Sequence, residues 1–267
     1  MKLYIKAISS YRSDKEEINI KQELKKSYKI DVRRKDDFIY AGLYGALRLR
    51  DTIEIKRENE LYLTSGYGNI NILSKIYDDV EENKGTIKLF DFINMLGNTT
   101  SFYIATELGI KAKSIFQISD NFTYFNTLVS VYASLCKTKN EAIVGALDIA
   151  SENEEVLKRV AGIEEQSSIT TSVMFQKFSL DATDALCEVE FDTKFYTLEE
   201  IQKLLKETTL KTVFSTRCKE LDAPKRAYIE TDASSVINES ITNKESCLYV
   251  ECYEKRYKII QVLNIEN

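Results

Sequence analysis

The sequence contains no histidine. That absence excludes histidine general bases, Ser–His and Cys–His nucleophile systems and His-ligated metals together. Carboxylates, lysine, tyrosine or a lone cysteine are all that remain for proton or acyl chemistry. Tryptophan is also missing, and the single proline, Pro224, reads as a turn. All nine glycines fall between Gly42 and Gly162, so no glycine-rich loop exists beyond that point. No apolar run reaches transmembrane length, and the opening "MKLYIKAISS" lacks the apolar core of a signal peptide. The expected compartment is therefore the cytoplasm. Positive charge is in short supply as well. A net charge of -5 argues against a nucleic-acid partner, and the one basic run, "DVRRKDD", has its cations flanked by acids.

What is present is ordinary for a globular protein: 267 residues, 43% hydrophobic and 30% charged, enough for one large domain or two small ones. Strands are expected at "KLYIKAIS" and "ELYLTSGYGN", and a helix at "RRKDDFIYAGLYGALRLRD" with Asp36 and Asp37 at its positive end. Gly66-x-Gly68 is only a fragment of a dinucleotide fingerprint, because Asn71 stands where the third glycine belongs, and is read as a turn. A polar helix is expected around Ile72–Glu82. Thr99 or Thr100 is placed as the cap of a helix ending near Gly109. "SIFQISDNFTYFNTLVSVYASLCK" reads as strand, turn and helix, and "EAIVGALDIA" as a buried strand, giving a parallel crossover.

"SENEEVLKRVAGIEEQSS" is the expected boundary between halves 1–151 and 152–267. Beyond it, strands are expected in "ITTSVMFQKFSL", "DALCEVEFDTKFY" and "KTVFSTRCKEL". A helix, "TLEEIQKLLKET", carries Thr197 and Glu200 as a capping box. "ASSVINESI" follows as a helix, and "SCLYVECYEKRYKIIQVLNI" as a hairpin turning near Glu254–Arg256.

The candidate reactive groups are few. Five cysteines without paired short spacings fit reduced thiols. Cys136 is read as a buried, inert thiol. Cys247 and Cys252, five apart on a strand, point to opposite faces and do not make a metal pair, so no metal site is expected. Cys218, between Arg217 and Lys219, is the candidate for a lowered thiol pKa on the surface. Asp120 and Asn121 occupy the strand-to-helix turn, where Asp120 reads as an N-cap.

Several stretches, taken in order, resemble the β-ketoacyl-acyl carrier protein synthase (ketosynthase) family of the thiolase-like superfamily. They are "RRKDDFIYAGLYGALRL", "LYLTSGYGNI", "FDFINMLGNTTSFYIATELGI" and "KSIFQISDNFTYFNTLVSVYASLCKTKNEAIVGALDIAS". The resemblance covers residues 31–151 best. It implies a five-layer αβαβα fold of two similar halves, dimerised through the strand and helix around a nucleophile elbow. In active members a cysteine sits at that elbow and two histidines assist decarboxylation. Here the elbow falls on Asp120 or Asn121, and both histidines are missing.

The resemblance therefore implies a degenerate member without condensing activity, like a chain-length factor. Such a subunit pairs with an active ketosynthase in fatty-acid, polyketide or aryl-polyene assembly, with the acyl carrier protein met only indirectly. Phe116, Ile118, Phe122, Tyr124 and Phe125 are the candidates for the partner interface or pocket wall. No cofactor is expected. Two other readings stay open: an acyltransferase using Cys218 or a carboxylate, and a homodimeric acyl-binding scaffold.

Overall fold

The computed structural model describes residues 1–119, 121–151, 154, 155, 158, 169–215, 217–221 and 231–265. β1 (Lys2–Arg12) alternates buried and half-exposed side chains along its length, the period of a strand with one face in the core. α1 (Ile20–Lys26) and α2 (Asp37–Arg50) follow. Asp36 caps α2 by accepting from the Ile39 N–H at 3.1 Å. β2 (Glu60–Ser65) is buried on both faces, paired between β3 and β4. α3 (Ile70–Tyr77) runs into a wider π-type turn at 78–82, then α4 (Leu89–Met95) and α5 (Gly97–Leu108). β3 (Ser114–Ile118), α6 (Thr123–Thr138), β4 (Ala142–Asp148) and β5 (Ser172–Ser179) complete the first half.

The second half holds β6 (Cys187–Phe191), α7 (Leu198–Glu207), β7 (Lys211–Phe214), a 3₁₀ turn at 219–221, α8 (Asp232–Asn243), β8 (Cys247–Tyr253) and β9 (Arg256–Asn264). Thr197 and Glu200 form the expected capping box of α7, with bonds of 3.3 and 2.9 Å. The β8–β9 hairpin turns at Glu254 and Lys255, both with positive φ (47° and 62°), the geometry that matches strand twist in a two-residue loop.

Among the described residues nine strands join in the order β3-β2-β4-β5-β1-β6-β9-β8-β7. The halves repeat one plan. β2 pairs parallel with β4 and β4 antiparallel with β5, which borders β1; β7 pairs parallel with β8 and β8 antiparallel with β9, which borders β6. Among the described residues the second half has no counterpart of β3. β1 joins the halves, since Lys2–Ile5 also pair with Cys187–Glu190 of β6.

The core explains the layering. α6 lies on β2, β3 and β4, while α8 touches β1 and β5 as well as β8 and β9, so the sheet turns around a central helical layer. Phe125, Leu128, Val131, Ile237, Tyr249 and Val262 meet in that central core. α2 and α5 cover the outer face of the first half, and α7 that of the second. The result is the five-layer arrangement the sequence resemblance implies.

Two local readings need correction. Helix α5 begins after Leu96 rather than at Thr99 or Thr100, because α4 leads directly into it. Thr99 instead donates its hydroxyl to the Ile93 carbonyl at 2.7 Å. Cys136 is exposed, since the phase of α6 turns Leu128, Val131 and Leu135 inward. Pro224 and most of the expected boundary stretch lie outside the described residues.

Candidate functional site

The β3–α6 turn is where the fold brings a strand end, a helix start and the second half together. Helix α6 begins at Thr123, and its N-cap position falls on Phe122, with φ 49° and ψ 35° and no side-chain cap bond. This is left-handed backbone on a bulky residue, which costs about 1–3 kcal/mol and persists only where the surroundings hold it. They do so here. The Thr123 hydroxyl donates to the Ser119 carbonyl at 2.8 Å, and Asn126 Nδ2 donates to the Asn121 carbonyl at 3.2 Å. Asn121 is thus half-buried and spans the turn through its backbone, while Asp120 lies outside the described residues. The side chain that the elbow delivers inward is that of Phe122, only 2% exposed.

Around Phe122 the site is aromatic. Its ring meets Phe195 edge-on at 5.7 Å, and Phe125 meets Phe191 at the same separation. Lys258 of β9 reaches into this box, with Nζ 4.0 Å from the centre of the Phe195 ring and 4.4 Å from that of Phe125. Its ammonium donates to the Thr193 carbonyl at 2.6 Å. Burial pushes the Lys258 pKa down, partly opposed by the nearby Asp192 carboxylate. One turn deeper, the Tyr124 hydroxyl donates to Gln176 Oε1 at 3.0 Å. Gln176 Nε2 donates in turn to Asn238 Oδ1 at 2.7 Å, crossing the central layer. Burial holds the Tyr124 phenol well above its ordinary pKa, so it serves as a fixed hydrogen-bond donor rather than an acid at neutral pH.

The five aromatic and aliphatic candidates therefore separate. Phe122, Tyr124 and Phe125 are buried in the central core and offer no free surface. Phe116 is half-buried, meets Phe38 edge-on at 6.1 Å and is pressed so closely to Gly97 that a Cβ there would sit 2.2 Å from the ring. Ile118 is 51% exposed at the end of β3. Among the described residues β3 pairs only with β2 and terminates the sheet, with no strand beside its other edge. Leu73, Tyr77, Leu89, Phe92 and Phe102 are exposed on α3, α4 and α5, where α3 packs on α4, α4 on α5, and α5 against β3.

The surface-thiol reading of Cys218 is corrected by the structure. Cys218 is fully buried in the outer core of the second half, and contact with the Cys252 thiol, then burial, pushes its pKa up. The cations beside it in sequence do not govern its surroundings, because the turn after β7 points the sulfur inward. Cys247 and Cys252 face opposite sides of β8, one bonded to Ser240 at 3.0 Å and the other in the outer core. Among the described residues no group of three or more cysteines and carboxylates is arranged to hold a metal ion.

The sequence reading missed Asp148, Gln176 and Lys258. Each carried a signal: a polar residue inside or ending an otherwise apolar strand, as in "IVGALD", "SVMFQKFS" and "RYKIIQ". Asp148 is buried at the end of β4 and accepts from the Ser65 hydroxyl, the Gly66 N–H, and both the N–H and hydroxyl of Thr231.

No family model and no curated protein sequence matches the chain. Solved structures do. The ishigamide ketosynthase/chain length factor superposes with a TM-score of 0.72 at 8% identity, covering 100% of each chain. The ketosynthase ApeO in complex with its chain length factor ApeC, from Xenorhabdus doucetiae, gives 0.64 at 9% identity over 98% of this chain and 99% of that one. The 3-oxoacyl-(acyl carrier protein) synthase III FabH of Pseudomonas aeruginosa PAO1 gives 0.56 at 10% identity over 100% and 99%. No helix among the described residues is long and apolar enough to cross a membrane. The strand order, the central helical layer and the elbow together give this chain the thiolase-like fold of the ketosynthases and chain length factors.

Proposed function

We propose that the protein is a ketosynthase-like subunit without condensing activity, which pairs with an active ketosynthase in the manner of a chain length factor. The observation that carries this reading is Phe122. It occupies the left-handed position at the start of α6 with its ring buried against Phe195, directly after Asp120 and Asn121, to which the resemblance gives the nucleophile's place, in a turn that carries no cysteine. A sequence without histidine supplies no imidazole base to replace the missing chemistry. The likeness to structures named as chain length factors supports the same direction. A fatty-acid or polyketide-type system in the cytoplasm, aryl polyene assembly among them, is the setting this reading gives. The half that runs from β1 to β5 and the half that runs from β6 to β9 act in it as one unit.

The partner face is the open edge of β3 with Ile118 and the exposed apolar side chains of α3, α4 and α5. An acyl carrier protein engages the active partner rather than this chain. Intact-mass measurement after incubation with an acyl thioester tests the loss of chemistry: the expected result is no added acyl group. A stable acyl adduct would favour an acyltransferase. A homodimeric acyl-binding scaffold would show instead as a self-dimer that binds acyl chains without a second subunit.

A further inference from the structure

Two cavities lie side by side against helix α2. The first, about 400 Å³, opens between the start of α2, helix α3 and the residue after β4, and is lined by Asp36, Asp37, Asn69, Asp78, Ile72 and Ile149. The second, about 360 Å³, shares Asp37 and Ile149 with it and continues along Ile18, Ile20, Tyr11 and Tyr40. The shared wall makes them one groove, acidic at one end and largely apolar at the other.

The acidic end carries more negative charge than the fold uses. Among the described residues none of Asp36, Asp37 and Asp78 has an ion-pair partner. Lys75, a cation lining the same end, is held by Asp91 of α4 at 2.8 Å. Asp78 closes α3 at its C-cap, the end where the helix dipole disfavours a carboxylate. Burial pushes the Asp36 carboxyl up in pKa, against the Ile39 N–H and the Asn69 amide from which it accepts.

Asn69 adds an observation independent of those charges. It lines the cavity and is only 6% exposed. Its Nδ2 donates to Asp36 Oδ2 at 2.7 Å and to the Asn94 carbonyl at 3.0 Å. Its Oδ1 receives no donor among the described residues, and the same holds for Oδ1 of the buried Asn94. A buried acceptor without a donor is costly, and a cation that carries N–H bonds removes the cost. A metal ion is a poor match, because the described residues hold no carboxylate cluster of metal-binding geometry. An ammonium needs only acceptors around its N–H bonds. At the apolar end, Lys21 Nζ lies 5.5 Å from the centre of the Tyr40 ring, so a second cation there would be repelled.

We propose that this groove binds a monocationic alkylammonium, a primary amine with an aliphatic tail. The head donates to Asn69 Oδ1 and to the carboxylates of Asp37 and Asp78, and the tail lies along Ile149 toward Ile18 and Ile20. The groove belongs to this chain alone, and its ligand is independent of any subunit role.

Isothermal titration calorimetry of the full-length protein with n-hexylamine, charged near neutral pH, tests the site. The expected result is saturable one-to-one binding, with hexan-1-ol and hexanoate each bound more weakly by about tenfold or more. Ethylamine, which keeps the head and loses most of the tail, should also bind more weakly by over about tenfold. Asp37 and Asp78 are exposed and cap no helix with their side chains. Asp37→Asn and Asp78→Asn should each weaken hexylamine binding about tenfold, the loss of one charge-assisted hydrogen bond, with unchanged circular dichroism. Equal binding of hexylamine and hexan-1-ol by the unaltered protein would overturn the proposal. So would hexylamine binding that survives both substitutions together, or no saturable binding by calorimetry and ligand-observed NMR.

Discussion

Thr231 donates both its backbone N–H and its hydroxyl to a single oxygen of Asp148, at 3.1 and 2.7 Å. The other oxygen accepts from the Ser65 hydroxyl and the Gly66 N–H, each at 2.8 Å. One buried carboxylate therefore ties the ends of β2 and β4 to the residue that precedes α8, joining the first half of the chain to the second. It is satisfied by four dipolar donors, with no cation among them. Asp148→Ala should strand these donors in the interior and destabilise the protein by about 3 kcal/mol, while Ser65→Ala should cost about 1 kcal/mol. Urea unfolding of the three proteins checks both numbers and their order.

Lys258 gives the stability a specific pH dependence. Its folded-state pKa is lowered by burial. Between that value and the ordinary lysine value the unfolded chain therefore holds more protons than the folded one. Stability contributed through this group rises as pH climbs through that window, and is least where the buried ammonium is fully charged. Lys258→Met should flatten that rise in urea melts taken at pH values below the ordinary lysine pKa of about 10.4. An unchanged slope would show that the group does not titrate there.

Helix α2 packs on the sheet through Gly45, where an added Cβ would sit 2.4 Å from Val173 Cγ1 and 2.7 Å from the Phe175 ring. These are β-branched and aromatic side chains locked in the core, so neither can withdraw cheaply. Gly45→Ala should destabilise by about 2 kcal/mol through overpacking, despite the better helix propensity of alanine. Thermal unfolding with a circular dichroism readout decides the sign.

The capping box of α7 is exposed and local, so its loss should be simple. Thr197→Ala should cost about 1 kcal/mol, and Glu200→Ala less, with no change in the near-ultraviolet spectrum.

Much of this architecture was readable from residue patterns. The apolar strands, the α2 helix with Asp36 at its start, the α7 capping box and the terminal hairpin all follow from short-range signals, and each forms as expected. The elbow was harder. The helix opens at Thr123 with Phe122 in the N-cap position, and the Thr123 hydroxyl and the Asn126 amide close the turn from within α6. Capping preference alone favours Asp120, which lies outside the described residues. Burial in the aromatic cluster depends on contacts between halves distant in sequence. Nothing local distinguishes Phe122 in the core from Ile118 at the surface, although they are four residues apart. Cys218 makes the same point, since its flanking cations said nothing of the strand it folds against. Gln176 and Lys258 were legible only as polar breaks in apolar strands, and their partners lie on other elements.

The same distinction separates two of the interface candidates, Ile118 at the surface and Phe122 in the core. Ile118→Lys leaves the core untouched and should prevent partner binding with unchanged circular dichroism. Phe122→Lys would place an ammonium at the centre of the aromatic box and should unfold the protein, by more than about 3 kcal/mol.

The most direct test is native mass spectrometry of the tagged protein purified from its own host, alongside the Ile118→Lys variant. The account predicts a one-to-one complex with a second ketosynthase-like chain that carries an elbow cysteine and histidines, lost in the variant. Recovery of the chain only as a monomer or with copies of itself would contradict it.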